Sequence, residues 1–177
     1  MWTVFTITIP DHKVKPRVDR LSRGTDTNHR TTQPVMKDTA MFRTLIVEDN
    51  AIFRHSLREM IHRHFPFMSI DEAGEGTEAK EKIAACCPDL IFMDIKLPGE
   101  NGLELTRHIK QEHKKVIIII LTAYDLPEYR KAAYHYGANY LVAKGSSSRD
   151  ELITTVESIL GQLGFEWEGK TGRDSAF

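Results

Sequence analysis

Leu90-Ile91-Phe92-Met93-Asp94 is the stretch on which the fold turns. Its four apolar residues are too few for an ordinary helix and carry no polar interruption. They read as a strand buried on both faces, the habit of a parallel sheet. The run ends on a carboxylate, and the same design recurs on either side. Thr44-Leu45-Ile46-Val47 leads into Glu48-Asp49, Val116-Ile117-Ile118-Ile119-Ile120-Leu121 into Thr122, and Tyr140-Leu141-Val142-Ala143 into Lys144. Ligands of open α/β sheets bind beyond the carboxyl ends of the strands. Glu48, Asp49, Asp94, Thr122 and Lys144 therefore converge on one crevice.

Helical patterns fill the intervals, so from Phe42 onward the chain reads as a series of βα units. Asn50 caps a first helix that sets Phe53, Leu57, Met60, Ile61 and His64 on one face. Phe67–Ala73 reads as a second strand, and Thr77–Cys86 as a helix closed by Pro88. A Pro98-Gly99 turn follows Asp94. Asn101 with Glu104 makes a capping-box-like start for a third helix, and Asp125 with Glu128 for a fourth that ends at Gly137. Ser148 with Glu151 starts a fifth, whose apolar face is Leu152, Ile153, Val156, Ile159, Leu160 and Leu163. The pattern predicts an α/β fold: a flavodoxin-like (βα)5 doubly wound parallel sheet with strand order 2-1-3-4-5.

Charge says what the crevice holds. Two carboxylates about 4 Å apart repel by roughly 4 kcal/mol at an effective dielectric near 20. Three of them need a counter-cation or raised pKa values. Oxygen-only ligands favour a hard divalent ion, Mg2+ with several retained waters. Lys144 adds a fixed positive charge and Thr122 a hydroxyl donor, a set suited to phosphoryl transfer. Asp94 is the expected acceptor, since a carboxylate can attack phosphorus and form an acyl phosphate.

These stretches resemble the receiver domain of two-component response regulators. The resemblance runs from residue 42 to about 163. It is carried by Leu45-Ile46-Val47-Glu48-Asp49-Asn50, by Pro88-Asp89 with the run to Asp94 and on through Ile95-Lys96-Leu97-Pro98-Gly99-Glu100-Asn101-Gly102, by Ile120-Leu121-Thr122-Ala123, and by Gly137-Ala138-Asn139-Tyr140-Leu141-Val142-Ala143-Lys144. It implies Asp94 as phosphoacceptor. Glu48 and Asp49 would hold Mg2+ together with Asp94, and the backbone carbonyl of Lys96 would be a further ligand. Thr122 would be the switch hydroxyl and Lys144 the partner of the phosphoryl group. Two positions depart from the family. Gly145 follows the lysine where Pro is usual, as in receivers that precede LuxR-type DNA-binding domains. Leu141 stands where the switch aromatic is expected; Tyr140 is one residue away and faces the other side of its strand.

The resemblance also implies partners: a sensor histidine kinase or a phosphotransfer protein as donor, and a downstream protein target. A homodimer is left open. The domain would be no enzyme beyond catalysing its own phosphorylation and dephosphorylation. Lys96 and Tyr124 sit at the rim, where family members tune self-dephosphorylation, and a bulky Tyr124 predicts a long-lived acyl phosphate. A haloacid-dehalogenase-type phosphohydrolase needs an acid two residues after the nucleophile, where Lys96 stands. A flavodoxin-like nucleotide site needs phosphate donors where Glu48-Asp49-Asn50 stands.

Composition agrees. The formal net charge of −1 over 177 residues gives no reason to expect nucleic-acid or membrane binding. Cys86 and Cys87 are adjacent, which suits neither a zinc spacing nor a structural disulfide and points to a reducing cytoplasm. His55, His62 and His64 read as a solvated helix face. Tyr124, Tyr129, Tyr134 and Tyr136 read either as core and surface aromatics or as part of a docking face. Residues 1–40 read as a disordered extension in which Met36 or Met41 is an alternative start, and residues 164–177 as a flexible tail. With no room for an output domain after residue 163, the expected molecule is a stand-alone receiver; the alternative is the receiver fragment of a DNA-binding transcriptional regulator. Limited proteolysis, read by mass spectrometry, is expected to leave a core of residues 41–163. Unfolding on removal of residues 1–40 would overturn that boundary.

Overall fold

The structure, a computed structural model, describes residues 42–123, 126–145 and 148–165. The readings of residues 1–40, Tyr124, Asp125 and the tail beyond Phe165 lie outside them. In chain order the elements are β1 (Phe42–Val47), α1 (Ala51–His64), β2 (Met68–Ala73), α2 (Gly76–Cys86), β3 (Leu90–Asp94), β4 (Lys96–Leu97), β5 (Glu100–Asn101), α3 (Gly102–Glu112), β6 (Ile117–Thr122), α4 (Pro127–His135), β7 (Tyr140–Ala143) and α5 (Ser148–Gln162). Five strands form one parallel sheet in the order β2-β1-β3-β6-β7. With the hairpin β4–β5 left aside, this is the expected flavodoxin-like order.

Every residue of β3 and β6 is buried, as continuous apolar strands at the centre of a doubly covered sheet require. Alternate side chains feed two cores. Leu45, Val47, Ile91, Met93, Ile118, Ile120 and Leu141 pack with α2, α3 and Ala133 of α4. On the other face, Phe42, Ile46, Phe92, Ile119 and Val142 pack with Leu57 and Ile61 of α1 and with Leu152, Val156, Ile159 and Leu160 of α5. Tyr140 joins this second core and Leu141 the first, so the two do face opposite sides.

Several local expectations shift. The second strand starts at Met68, not Phe67, and α2 starts at Gly76, not Thr77. His64 is exposed, with its ring nitrogen 2.9 Å from the Met60 carbonyl. Leu163 lies past the end of α5 and keeps 36% of its surface exposed, so it is not on the buried face. Asn101 does cap α3 through the Leu103 N–H at 2.8 Å. Glu104 instead pairs with Arg107 at 2.7 Å. Leu126 holds the cap position of α4 without a side-chain hydrogen bond, and Pro127 opens the helix, where its missing N–H costs nothing. Packing also runs past Leu163, because Phe165 meets Phe42 edge-on with ring centroids 5.2 Å apart. The C-terminal proteolytic cut is accordingly expected beyond Phe165.

The hairpin β4–β5 brings the chain back onto the end of β3. The Gly102 N–H donates to the Ile95 carbonyl at 2.8 Å. A Cβ on Gly102 would lie 1.8 Å from the carbonyl oxygen of Asp94, so only glycine allows this return. Gly102→Ala is expected to cost about 3 kcal/mol, the upper end of the overpacking range. Gly161, inside α5 with open space around it, is the control: Gly161→Ala is expected to stabilise by about 0.5–1 kcal/mol. Urea titration reads both, and a neutral Gly102→Ala would show that the hairpin yields.

Candidate metal and phosphoryl site

The sheet register sets the site. Val47 lies level with Met93, Met93 with Ile120, and Ile120 with Leu141. The four strands thus end within two residues of one level, and Glu48, Asp94, Thr122 and Lys144 emerge at one edge. The backbone extends this alignment past the strands. The Glu48 N–H donates to the Ala73 carbonyl at 3.0 Å and the Lys144 N–H to the Thr122 carbonyl at 2.6 Å.

All the expected side chains are brought to this edge. Ligand oxygens of Glu48, Asp49 and Asp94 lie within 4.8 Å of one another. Glu48, Asp94 and Thr122 are buried, and Asp49 is exposed. The Lys144 ammonium lies 2.6 Å from Glu48 Oε2 and 3.0 Å from Asp94 Oδ1. Asp94, Ile95, Lys96, Thr122, Ala123, Tyr129 and Lys144 line a cleft of about 60 Å³, room for a few water-sized groups.

Three neighbours were not legible as site residues. Phe53 of α1 places its ring 4.9 Å from the Lys144 ammonium, a cation–π contact that holds the charge over the crevice. Asn50, expected as a cap, accepts from the N–H groups of Ile52 and Phe53, each at 3.0 Å. Its own N–H also donates to Glu48 Oε1 at 3.3 Å. Arg54 donates to the Glu48 carbonyl at 2.6 Å. Its place one turn after the cap was visible in the sequence, but the groups it reaches were not.

Glu48 and Asp94 share the Lys144 ammonium, and Asp49 adds a third carboxylate beside them. Burial pushes the Glu48 carboxyl above its ordinary range; Asp94 acts in the same direction, while Lys144 and the Asn50 N–H oppose it. Glu48 Oε2 has its ion-pair partner at 2.6 Å but accepts no aligned hydrogen bond. A buried carboxylate oxygen without such a donor, inside an oxygen-only acidic cluster, fits a hard divalent cation.

Fold and crevice define a flavodoxin-like α/β domain with an acidic site at the carboxyl edge of its sheet. The chain belongs to the response regulator receiver domain family, whose sequence model matches residues 44–157. It is thus a receiver of two-component signalling. Protein-glutamate methylesterase/protein-glutamine glutaminase of Geobacillus kaustophilus is 36% identical over 123 residues, which cover 68% of this chain and 35% of that protein. Three curated relatives are matched over only 35%, 46% and 53% of their own length. Among solved structures, response regulator TrrA of Thermotoga maritima in complex with Mg2+-BeF is 36% identical with a TM-score of 0.61, covering 68% of this chain and all of that one. A LuxR-family two-component response regulator from Aurantimonas is 34% identical with a TM-score of 0.62, covering 67% and 84%.

The raised Glu48 pKa has a signed consequence. The folded state grips this proton more tightly than the unfolded chain does. The stability it contributes is complete below the ordinary carboxylate range and is lost as pH rises through the raised value. Glu48→Gln removes that titration. In chelator, the melting temperature of Glu48→Gln relative to wild type is expected to rise between about pH 4 and pH 8. A difference that stays constant across this span would show that charging Glu48 costs the fold nothing.

Proposed function

We propose that Asp94 accepts a phosphoryl group from the phosphohistidine of a sensor histidine kinase or a phosphotransfer protein, and that the domain signals through contacts with a downstream protein. The observation that carries this reading is the Lys144 ammonium set between Asp94 and Glu48 at the strand ends. In the transfer, an Asp94 oxygen attacks phosphorus, the P–N bond breaks, and the imidazole leaves as the neutral base after taking up a proton. Lys144 is placed to follow the phosphoryl oxygens as charge shifts onto them, and the Thr122 hydroxyl to donate to one of them. Glu48, Asp49, Asp94 and the backbone carbonyl of Lys96 would hold Mg2+, which supplies positive charge at the phosphoryl oxygens when bound. The relative solved with Mg2+-BeF supports this assignment by likeness.

The output differs from the usual family scheme. Leu141, in place of an aromatic, is 4% exposed within the core shared with α3 and α4, and Tyr140 packs on the opposite face. Phosphorylation would therefore act on the segment between Thr122 and α4 without an aromatic rotamer to follow. Among the described residues no helix is long and apolar enough to cross a membrane, in keeping with a cytoplasmic role. A second reading, the receiver part of a DNA-binding transcriptional regulator, draws on the LuxR-family likeness and on the greater length of the curated relatives.

Asp94→Asn is expected to abolish labelling by acetyl phosphate, because an amide forms no acyl phosphate; undiminished labelling would reject the phosphoacceptor assignment. The metal is tested without phosphate. Calorimetry is expected to show Mg2+ binding that Asp49→Ala weakens strongly and Glu48→Ala less, since the longer Glu48 acts through Lys144 or water. Equal affinity in wild type and Asp49→Ala would remove Asp49 from the site.

A further inference from the structure

We propose that Arg54 is the positioning residue that fixes the Glu48-Asp49 pair for metal binding, an inference that rests on the Mg2+ reading of the crevice. β1 keeps its ladder for one bond past its last residue, through the Glu48 N–H. Beyond it the chain turns into α1, and its carbonyls need donors that the sheet no longer offers. The guanidinium of Arg54 reaches back from the first turn of α1 to take that part. Nη1 donates to the Glu48 carbonyl at 2.6 Å and lies 3.5 Å from the Asp49 carbonyl. Nε donates to Glu72 Oε2 of β2 at 3.3 Å. One planar group thus ties the turn to both neighbouring elements, and its side chain is only 20% exposed.

The choice of partners is what makes this a device for the site. The guanidinium takes backbone oxygens of Glu48 and Asp49 and the carboxylate of Glu72. It leaves the Glu48 and Asp49 carboxylates to the crevice, where a cation would meet them. A planar fork with several fixed donors suits this task, and an ammonium, as a single point charge, does not. Arg58 gives an internal comparison. It shares Glu72, at 3.2 Å to Oε1, and among the described residues that is its ion-pair partner, so it belongs to the network without touching the turn.

Arg54→Met, Arg54→Lys and Arg58→Met in the full chain test the idea against wild type and Asp49→Ala. Mg2+ affinity is measured by calorimetry and folding by urea titration. Arg54→Met is expected to bind Mg2+ about tenfold more weakly, as loss of a residue that orients metal ligands does. Arg54→Lys is expected to fall between Arg54→Met and wild type, and Arg58→Met to match wild type. Acetyl phosphate labelling of Arg54→Met is expected to return to the wild-type level at saturating Mg2+, a split that lowered stability alone does not produce. Unchanged affinity in Arg54→Met, or an equal loss in Arg58→Met, overturns the positioning role while the metal site stands. Absence of Mg2+ binding in wild type overturns both.

Discussion

Two negative charges at the edge of an apolar sheet tolerate each other because one lysine stands between them. Lys144 lies 2.6 Å from Glu48 Oε2 and 3.0 Å from Asp94 Oδ1, and much of the fold serves this contact. β1, β3 and β7 must end near one another for the three side chains to meet, and the parallel register brings their ends within two residues of one level. β6 lies between β3 and β7 and passes that register on through Thr122, whose carbonyl receives the Lys144 N–H. The apolar runs that form the strands therefore act as a ruler for the charges at their ends. A slip of one residue in any of them would turn its whole side-chain set to the other face.

This dependence explains why so much was legible in the sequence. Runs such as Ile117–Leu121 admit few structures, and a carboxylate or lysine after such a run has one place to go. The alternation of strands and helices and the convergence of Glu48, Asp49, Asp94, Thr122 and Lys144 follow from pattern, and the strand order from its match to a flavodoxin-like topology. What escaped is what depends on side-chain reach or on backbone approach. The hairpin β4–β5 is only two residues a side, too short to carry a period. The need for Gly102 depends on the distance to a carbonyl in another element. Phe53 was visible as a core residue of α1, but nothing in its spacing shows a ring under an ammonium. Leu163 continues the helical period and yet falls outside the helix, because a turn through Gly164, at φ +74°, ends it and sends Phe165 back to the sheet.

The two faces of β7 divide the labour of the domain. Leu141 fills the core shared with α3 and α4, and Tyr140 lies with α1 and α5. A buried aliphatic side chain has no hydroxyl and no second rotamer that reaches solvent cheaply. Leu141 therefore serves the α4 side of the sheet as packing alone.

The edge-on contact of Phe42 and Phe165 closes a circuit. These are the first and last of the described residues, and they meet at the amino end of β1, about 20 Å of strand away from the crevice. Linking them and opening the chain elsewhere would leave the strand ends, and the charges on them, in place. Connectivity is therefore dispensable to the chemistry in a way that register is not, and a circularly rewired chain would carry the same acidic edge.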